Sequence, residues 1–180
     1  GEQYRLTNFS DINLGEIEFD IPKTSNLEIK KRLDKTILIL SSDSGSSYLK
    51  SDGTPLDKIS AEMAMILVQQ NTTLTPIEAE EITSSKKGSE YRGRTLPLMK
   101  VISKNEKDKL INVYLNIYSG EVTAIRSMQW KIWDVMWGFH IMDWQERDNI
   151  DNLFLKIFSI LALVSSITGI LLFFKIDFKK

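Results

Sequence analysis

The chain has 180 residues and a formal net charge of -1, from 23 basic and 24 acidic side chains, so no global field favours nucleic acid or an acidic substrate. It has no cysteine and a single histidine. These counts exclude disulfides, thiolate nucleophiles, iron–sulfur clusters, and zinc sites built from Cys or from several His of this polypeptide.

The chain opens Gly1-Glu-Gln-Tyr4 with no methionine, basic stretch or apolar run, and further sequence is expected upstream. Residues 1–24, with Pro22, read as an irregular lead-in. A pattern then occurs twice. In the first unit, 25–59, Ser25 is an expected N-cap for a short helix to Leu33, and Thr36-Ile-Leu-Ile-Leu40 is a β-branched, apolar strand. Asp43-Ser44-Gly45 turns the chain into a strand over 47–50, and Asp52-Gly53 is a hairpin signal leading to Leu56.

The second unit, 60–127, starts at Ser60, an N-cap for a helix over 61–70 built of good helix formers. Residues 75–83 read as extended and 84–88 as a polar loop. Leu96 to Ile102 reads as a strand that Pro97 confines to its start or to a sheet edge. Beyond a turn at 105–108, residues 110–117 alternate apolar and polar at the strand period of two, and Tyr118-Ser119-Gly120 returns the chain into 121–125. The expected soluble fold is α+β, two units each with a helix and an antiparallel meander.

All four tryptophans and the histidine fall within residues 130–144. Residues 128–150 read as an aromatic interfacial helix and loop, and Trp130, Trp133, Trp137, His140, Ile141 and Trp144 share one face if the stretch from 130 to 144 is helical. That face suits the headgroup layer of a bilayer, where indole rings settle; the other reading is a core helix packed on the sheet. His140 reads as a structural histidine held by Asp134 or Asp143, or as a haem ligand that needs a second histidine from a partner. No metal site is expected within the chain, and haem is expected only in a complex.

From Ile157 to Phe174 the chain is uncharged and apolar, about 27 Å of helix, close to the hydrocarbon thickness of a bilayer. Extended to 153–174 it reads as a transmembrane helix, with Ser165 and Gly169 as a small-residue face for helix packing. Lys175, Lys179 and Lys180 bias the tail, 175–180, towards the cytoplasm. The lipid bilayer is thus an expected partner.

Four segments carry a family resemblance: Leu74-Thr-Pro-Ile77, Glu90-Tyr-Arg-Gly-Arg-Thr-Leu-Pro97, Val113-Tyr-Leu-Asn-Ile-Tyr-Ser-Gly-Glu-Val122, and Trp130 through Trp144 ahead of the span. In this order they resemble PepSY-domain proteins of the PepSY-associated transmembrane helix group. There a VYLD-like strand precedes a TGEV-like turn, an aromatic segment close to WMLHIMDW and a terminal membrane helix. The match covers roughly residues 70–175 and is most specific at His140-Ile-Met-Asp-Trp144. Gly1-Glu-Gln-Tyr4 resembles a GEHL-like element after a first membrane helix, with Gln3 in the histidine position. The resemblance implies two PepSY-like units on the periplasmic side of a bacterial inner membrane, other membrane subunits as partners, and a redox or iron-reduction setting. It also implies an alternative, a regulator or inhibitor of an extracytoplasmic peptidase.

No Ser-His-Asp order, glycine-rich phosphate loop or metal-ligand spacing occurs, the carboxylates around residues 57–90 are scattered, and Arg92-Gly93-Arg94 reads as an exposed charged loop. The expectation is a non-catalytic module, with an electron-transfer haem subunit as a further alternative.

Overall fold

The computed structural model describes residues 26–43 and 45–177, with side chains to 175. The lead-in, the Ser25 cap, the Gln3 position and the end of the tail lie outside the described residues. The chain is α+β. Contacts divide the described part into two compact units, 26–85 with 93–126, and 86–92 with 127–177.

The first unit holds two antiparallel sheets. Strands β1 (Asn26–Arg32), β2 (Lys35–Ser42) and β3 (Gly45–Lys50) form the smaller sheet in that order. The expected helix over 25–33 is therefore incorrect. Leu27 and Ile29 sit two apart beside Leu40 and Leu38 of β2, a strand period that outweighs the helix-forming lysines. Leu33, at φ 55°, and Asp34 reverse the chain so that Arg32 pairs Lys35. That turn has neither Gly nor Asn, the residues that tolerate a left-handed backbone cheaply, so the sequence did not announce it.

The second sheet is preceded by α1 (Ala61–Asn71), whose N-cap Ser60 accepts from the Met63 amide at 3.1 Å. Strands β4 (Thr75–Ile82), β5 (Leu98–Lys104), β6 (Leu110–Asn116) and β7 (Val122–Ser127) follow in sequential antiparallel order. Pro97 immediately precedes β5, as expected for a proline entering a central strand. α1 buries Ala64, Leu67 and Val68, spaced three and four apart, against Val101, Val113, Leu115 and Ile117. At the β6–β7 turn Gly120 has φ 73°, and a Cβ there would lie 2.6 Å from Leu67 Cδ1, so the turn requires glycine twice over.

The two sheets are pinned together by polar and aromatic contacts. Tyr48 and Tyr118 stack with ring centroids 5.1 Å apart, and Asn116 Nδ2 donates to the Tyr48 hydroxyl at 2.8 Å. The buried Arg32 guanidinium donates to the carbonyls of Tyr118 and Asp57 at 2.6 and 3.1 Å.

The second unit is helical. It holds α2 (Met128–His140), α3 (Leu153–Asp177), the loop between them, and residues 86–92.

Candidate functional site

Helix α2 starts at Ser127, whose hydroxyl accepts from the Trp130 amide at 3.2 Å. It ends at His140, short of Trp144, the last residue expected on its tryptophan face. Met142 adopts φ 57°, the Asp143 amide reaches back to the Gly138 carbonyl at 3.0 Å, and the Met142 amide to Phe139 at 3.2 Å. These bonds satisfy the last carbonyls of the helix and end it. Trp144 therefore lies past the helix, and the single face running from Trp130 to Trp144 is broken.

The aromatic residues separate into three environments. Trp133, Trp137 and His140 form one exposed row, with Trp133 on Trp137 at 5.9 Å and Trp137 on His140 at 5.8 Å between centroids. Trp130 is half-buried, with the Arg92 guanidinium 5.7 Å from its ring centroid. Trp144 rests between Phe139 and Phe154, at 6.2 and 5.9 Å, where the loop meets α3. Ile141 is buried, so it is not available to an interface, contrary to its expected place on the tryptophan face.

The inner side of α2 carries a charge. Asp134 is 1% exposed. Its Oδ1 accepts from Arg92 Nη2, its Oδ2 accepts from Arg147 Nη1 at 2.6 Å, and Arg92 Nε also donates to Asp148 at 2.8 Å. Burial is the strongest influence on the Asp134 carboxyl and resists ionisation. The hydrogen bonds and charges of the two arginines together outweigh it and hold the group below the ordinary carboxylate range. Two carboxylates and two guanidiniums thus compensate one another.

Gly138 makes room for this arrangement. A Cβ there would meet Arg147 Cγ and the Asp143 carbonyl, each at 3.0 Å, so the arginine stem crosses the helix at its bare turn. Arg147 itself has φ 62°, a strained backbone that the ion network holds. Asp143 organises the remaining loop by accepting from the amides of Gln145, Glu146, Asp148 and Asn149. Asn152 then joins the two helices. Its amide donates to the Ile141 carbonyl at 2.7 Å, and its Oδ1 accepts from Leu155 N at the start of α3 at 2.9 Å.

Neither carboxylate expected beside His140 is bonded to it: Asp134 is taken by the arginines, and Asp143 by the loop. Among the described residues no group of His, Asp or Glu is arranged to hold a metal ion. The expectation of a plain charged loop at 92–94 holds only for Arg94. Arg92 is a member of the buried network. The sequence offered one sign of it, an aspartate four residues before a glycine within a helix of otherwise aromatic and aliphatic character. Its partners at 92, 147 and 148 were not legible, because one comes from a loop over forty positions upstream.

Helix α3 is long and apolar enough to cross a membrane over Leu153–Lys175, at mean hydropathy 2.5 with none of that window buried. The hydroxyls of Ser159, Ser166 and Thr168 donate to carbonyls one turn back at 2.7–2.8 Å, which removes most of their polarity. Ser165 makes no such bond, and a Cβ on Gly169 would meet nothing within 4 Å. No protein-family model, curated protein or solved structure matches this chain.

Proposed function

We propose that this chain is a non-catalytic, membrane-anchored module, an accessory or assembly subunit of a larger membrane complex. The sheet unit stands on the periplasmic side of a bacterial inner membrane and the C-terminus in the cytoplasm. The observation that carries the reading is the inside-out helical unit. Its aspartate is buried while Ile132, Trp133, Met136, Trp137 and Phe139 of α2 and the whole apolar length of α3 face outward.

Such a surface is unfavourable in water, where contiguous apolar patches of this extent mark contact with lipid or protein. Bilayer and partner helices would cover it together. The tryptophan row of α2 suits headgroup depth and α3 the hydrocarbon. Along α3, the side with Ser165 and Gly169 has an unmet hydroxyl and no side-chain bulk, which supports close approach of a partner helix. The resemblance to PepSY-associated membrane proteins, carried by Val113-Tyr-Leu-Asn116 and His140-Ile-Met-Asp-Trp144, supports a redox or iron-reduction setting.

The test is purification of the full chain from its native membrane in mild detergent through a C-terminal tag, with the co-purifying proteins and the optical spectrum recorded together. A stoichiometric membrane partner, lost in Gly169→Leu, is the expected result, since a Cβ added at Gly169 meets no atom within 4 Å. A chain that emerges alone, or whose partner is a peptidase held equally by Gly169→Leu, overturns the accessory-subunit reading. Haem absorption that disappears in His140→Ala would assign the histidine to a shared haem.

A further inference from the structure

A cleft of about 430 Å³ opens in the sheet unit between β3 and the segment that leads into β5. Its lining includes Ser46, Tyr48, Arg94, Pro97, Asn116 and Tyr118, and it contains no acidic side chain. Arg94 is exposed and, unlike Arg92, makes no ion pair or side-chain hydrogen bond among the described residues. Among the described residues the cleft therefore carries a cation without a counter-ion, beside a stacked tyrosine pair.

Gly45, Ser46 and Tyr48 of β3 line one wall. β3 is the outermost strand of its sheet. The Tyr48 carbonyl accepts from the Leu56 amide at 2.9 Å and the Lys50 amide donates to Thr54 at 2.8 Å, so both residues point their backbone groups away from β2. By the two-residue period of a strand, Ser46 points its amide and carbonyl the same way, beyond the reach of the 54–56 segment. A strand edge and an arginine that are both without partners among the described residues form a template for added chain.

We propose that this cleft binds an extended peptide segment, whose backbone pairs with the edge of β3 at Ser46 and whose carboxylate is taken by Arg94. The peptide supplies the acceptor and donor that Ser46 lacks, the carboxylate supplies the missing anion, and Tyr48 and Tyr118 offer an apolar floor for an alternate side chain. The inference stands on the sheet unit alone and does not depend on the membrane reading.

Fluorescence anisotropy with the full chain in lipid nanodiscs tests it. The probe is a fluorescein-labelled pentapeptide alternating threonine and valine with a free C-terminal carboxylate. Saturable binding is expected, weakened about tenfold or more by Arg94→Gln, as for loss of a charge-assisted hydrogen bond, and abolished when alternate peptide nitrogens are methylated. The methylated peptide needs no change to the protein, so misfolding of a variant cannot mimic that result. Unaltered affinity in Arg94→Gln, binding indifferent to methylation, complete displacement by an equal concentration of acetate, or no binding would each overturn the proposal.

Discussion

The sheet unit and the helical unit solve the same problem in opposite senses. In the first, Val101, Val113, Leu115 and Ile117 are sealed under α1, and most ion pairs, such as Lys100 with Glu80 and Lys58 with Glu81, lie at the surface. In the second, the most buried side chain of α2 is Asp134, and the large apolar residues face out. Water is the natural solvent of the first arrangement. The second has the pattern that suits an apolar surrounding, and its α3 is long and apolar enough to cross a membrane. The contrast teaches that apolar residues alone do not mark a core: among the described elements α3 is the most hydrophobic and the least buried.

The contrast breaks hardest in α3. Near the centre of a membrane helix an arginine costs about 2.5–3.5 kcal/mol, whereas each Leu, Ile, Phe or Val contributes about 0.3–0.6 kcal/mol in favour of insertion. The fifteen such residues over 153–174 contribute about 4.5–9 kcal/mol, which outweighs one arginine and is largely cancelled by two that also replace two of the fifteen. Val164→Arg alone should still float with membranes in a density gradient. Leu161→Arg with Val164→Arg, costing about 5–7 kcal/mol, should shift the chain to the soluble fraction with the β-sheet circular dichroism retained. Membrane flotation of the double variant would show that α3 is held by protein, not by lipid.

Next in size is the buried aspartate. Asp134→Ala takes away the anion between Arg92 and Arg147 and leaves Arg92 only Asp148, and removal of one partner from a buried ion network costs about 3–5 kcal/mol. The loss should fall on the helical unit. Amide hydrogen exchange should rise at 86–92 and 143–149 and stay unchanged in β5 and β6. Acid should act the same way with a defined sign. The folded Asp134 carboxyl lies below its unfolded value of about 3.9, so its contribution is complete above that pH and fades as pH falls through the folded value. Exchange at 86–92 that is already fast at neutral pH would contradict this.

The sequence made elements legible where local chemistry and tertiary need agreed. Ser60 caps α1, the alternation over 110–117 is β6, and the uncharged run from Ile157 lies in α3. It misled where they disagreed. Lys30, Lys31 and Arg32 suit a helix, yet Lys30 pairs Glu121 at 2.6 Å and Arg32 reaches the Tyr118 carbonyl, contacts available only from a strand. The tryptophan spacing is helical as far as Trp137, but nothing in it reveals that Met142 turns left-handed and releases Trp144 from the row. The ion network was hidden for a different reason, since separation along the chain erases any periodic signal. The cleft at Arg94 was likewise illegible, because its walls come from β3, the approach to β5 and the β6–β7 turn.

The smallest expected effect compares one device in the two units. Ser60 and Ser127 both cap a helix by accepting the amide three residues on, at 3.1 and 3.2 Å. Their removal should differ because the helices are held differently. α1 is fixed by the core through Ala64, Leu67 and Val68, close behind the cap, so fraying of its first turn draws on the cooperative stability of the sheet unit. Ser60→Ala should lower that stability by about 1 kcal/mol, read as a shift in the urea midpoint of the β-sheet signal. α2 is fixed at Asp134 and Gly138, beyond its first turn, and Met128 is exposed. Ser127→Ala should therefore cost about 0.5 kcal/mol, the low end for a cap, and speed amide exchange only over 128–130. Equal shifts in the urea midpoint from both substitutions would mean that the units unfold as one, and that the separation between the sheet unit and the helical unit is not an energetic one.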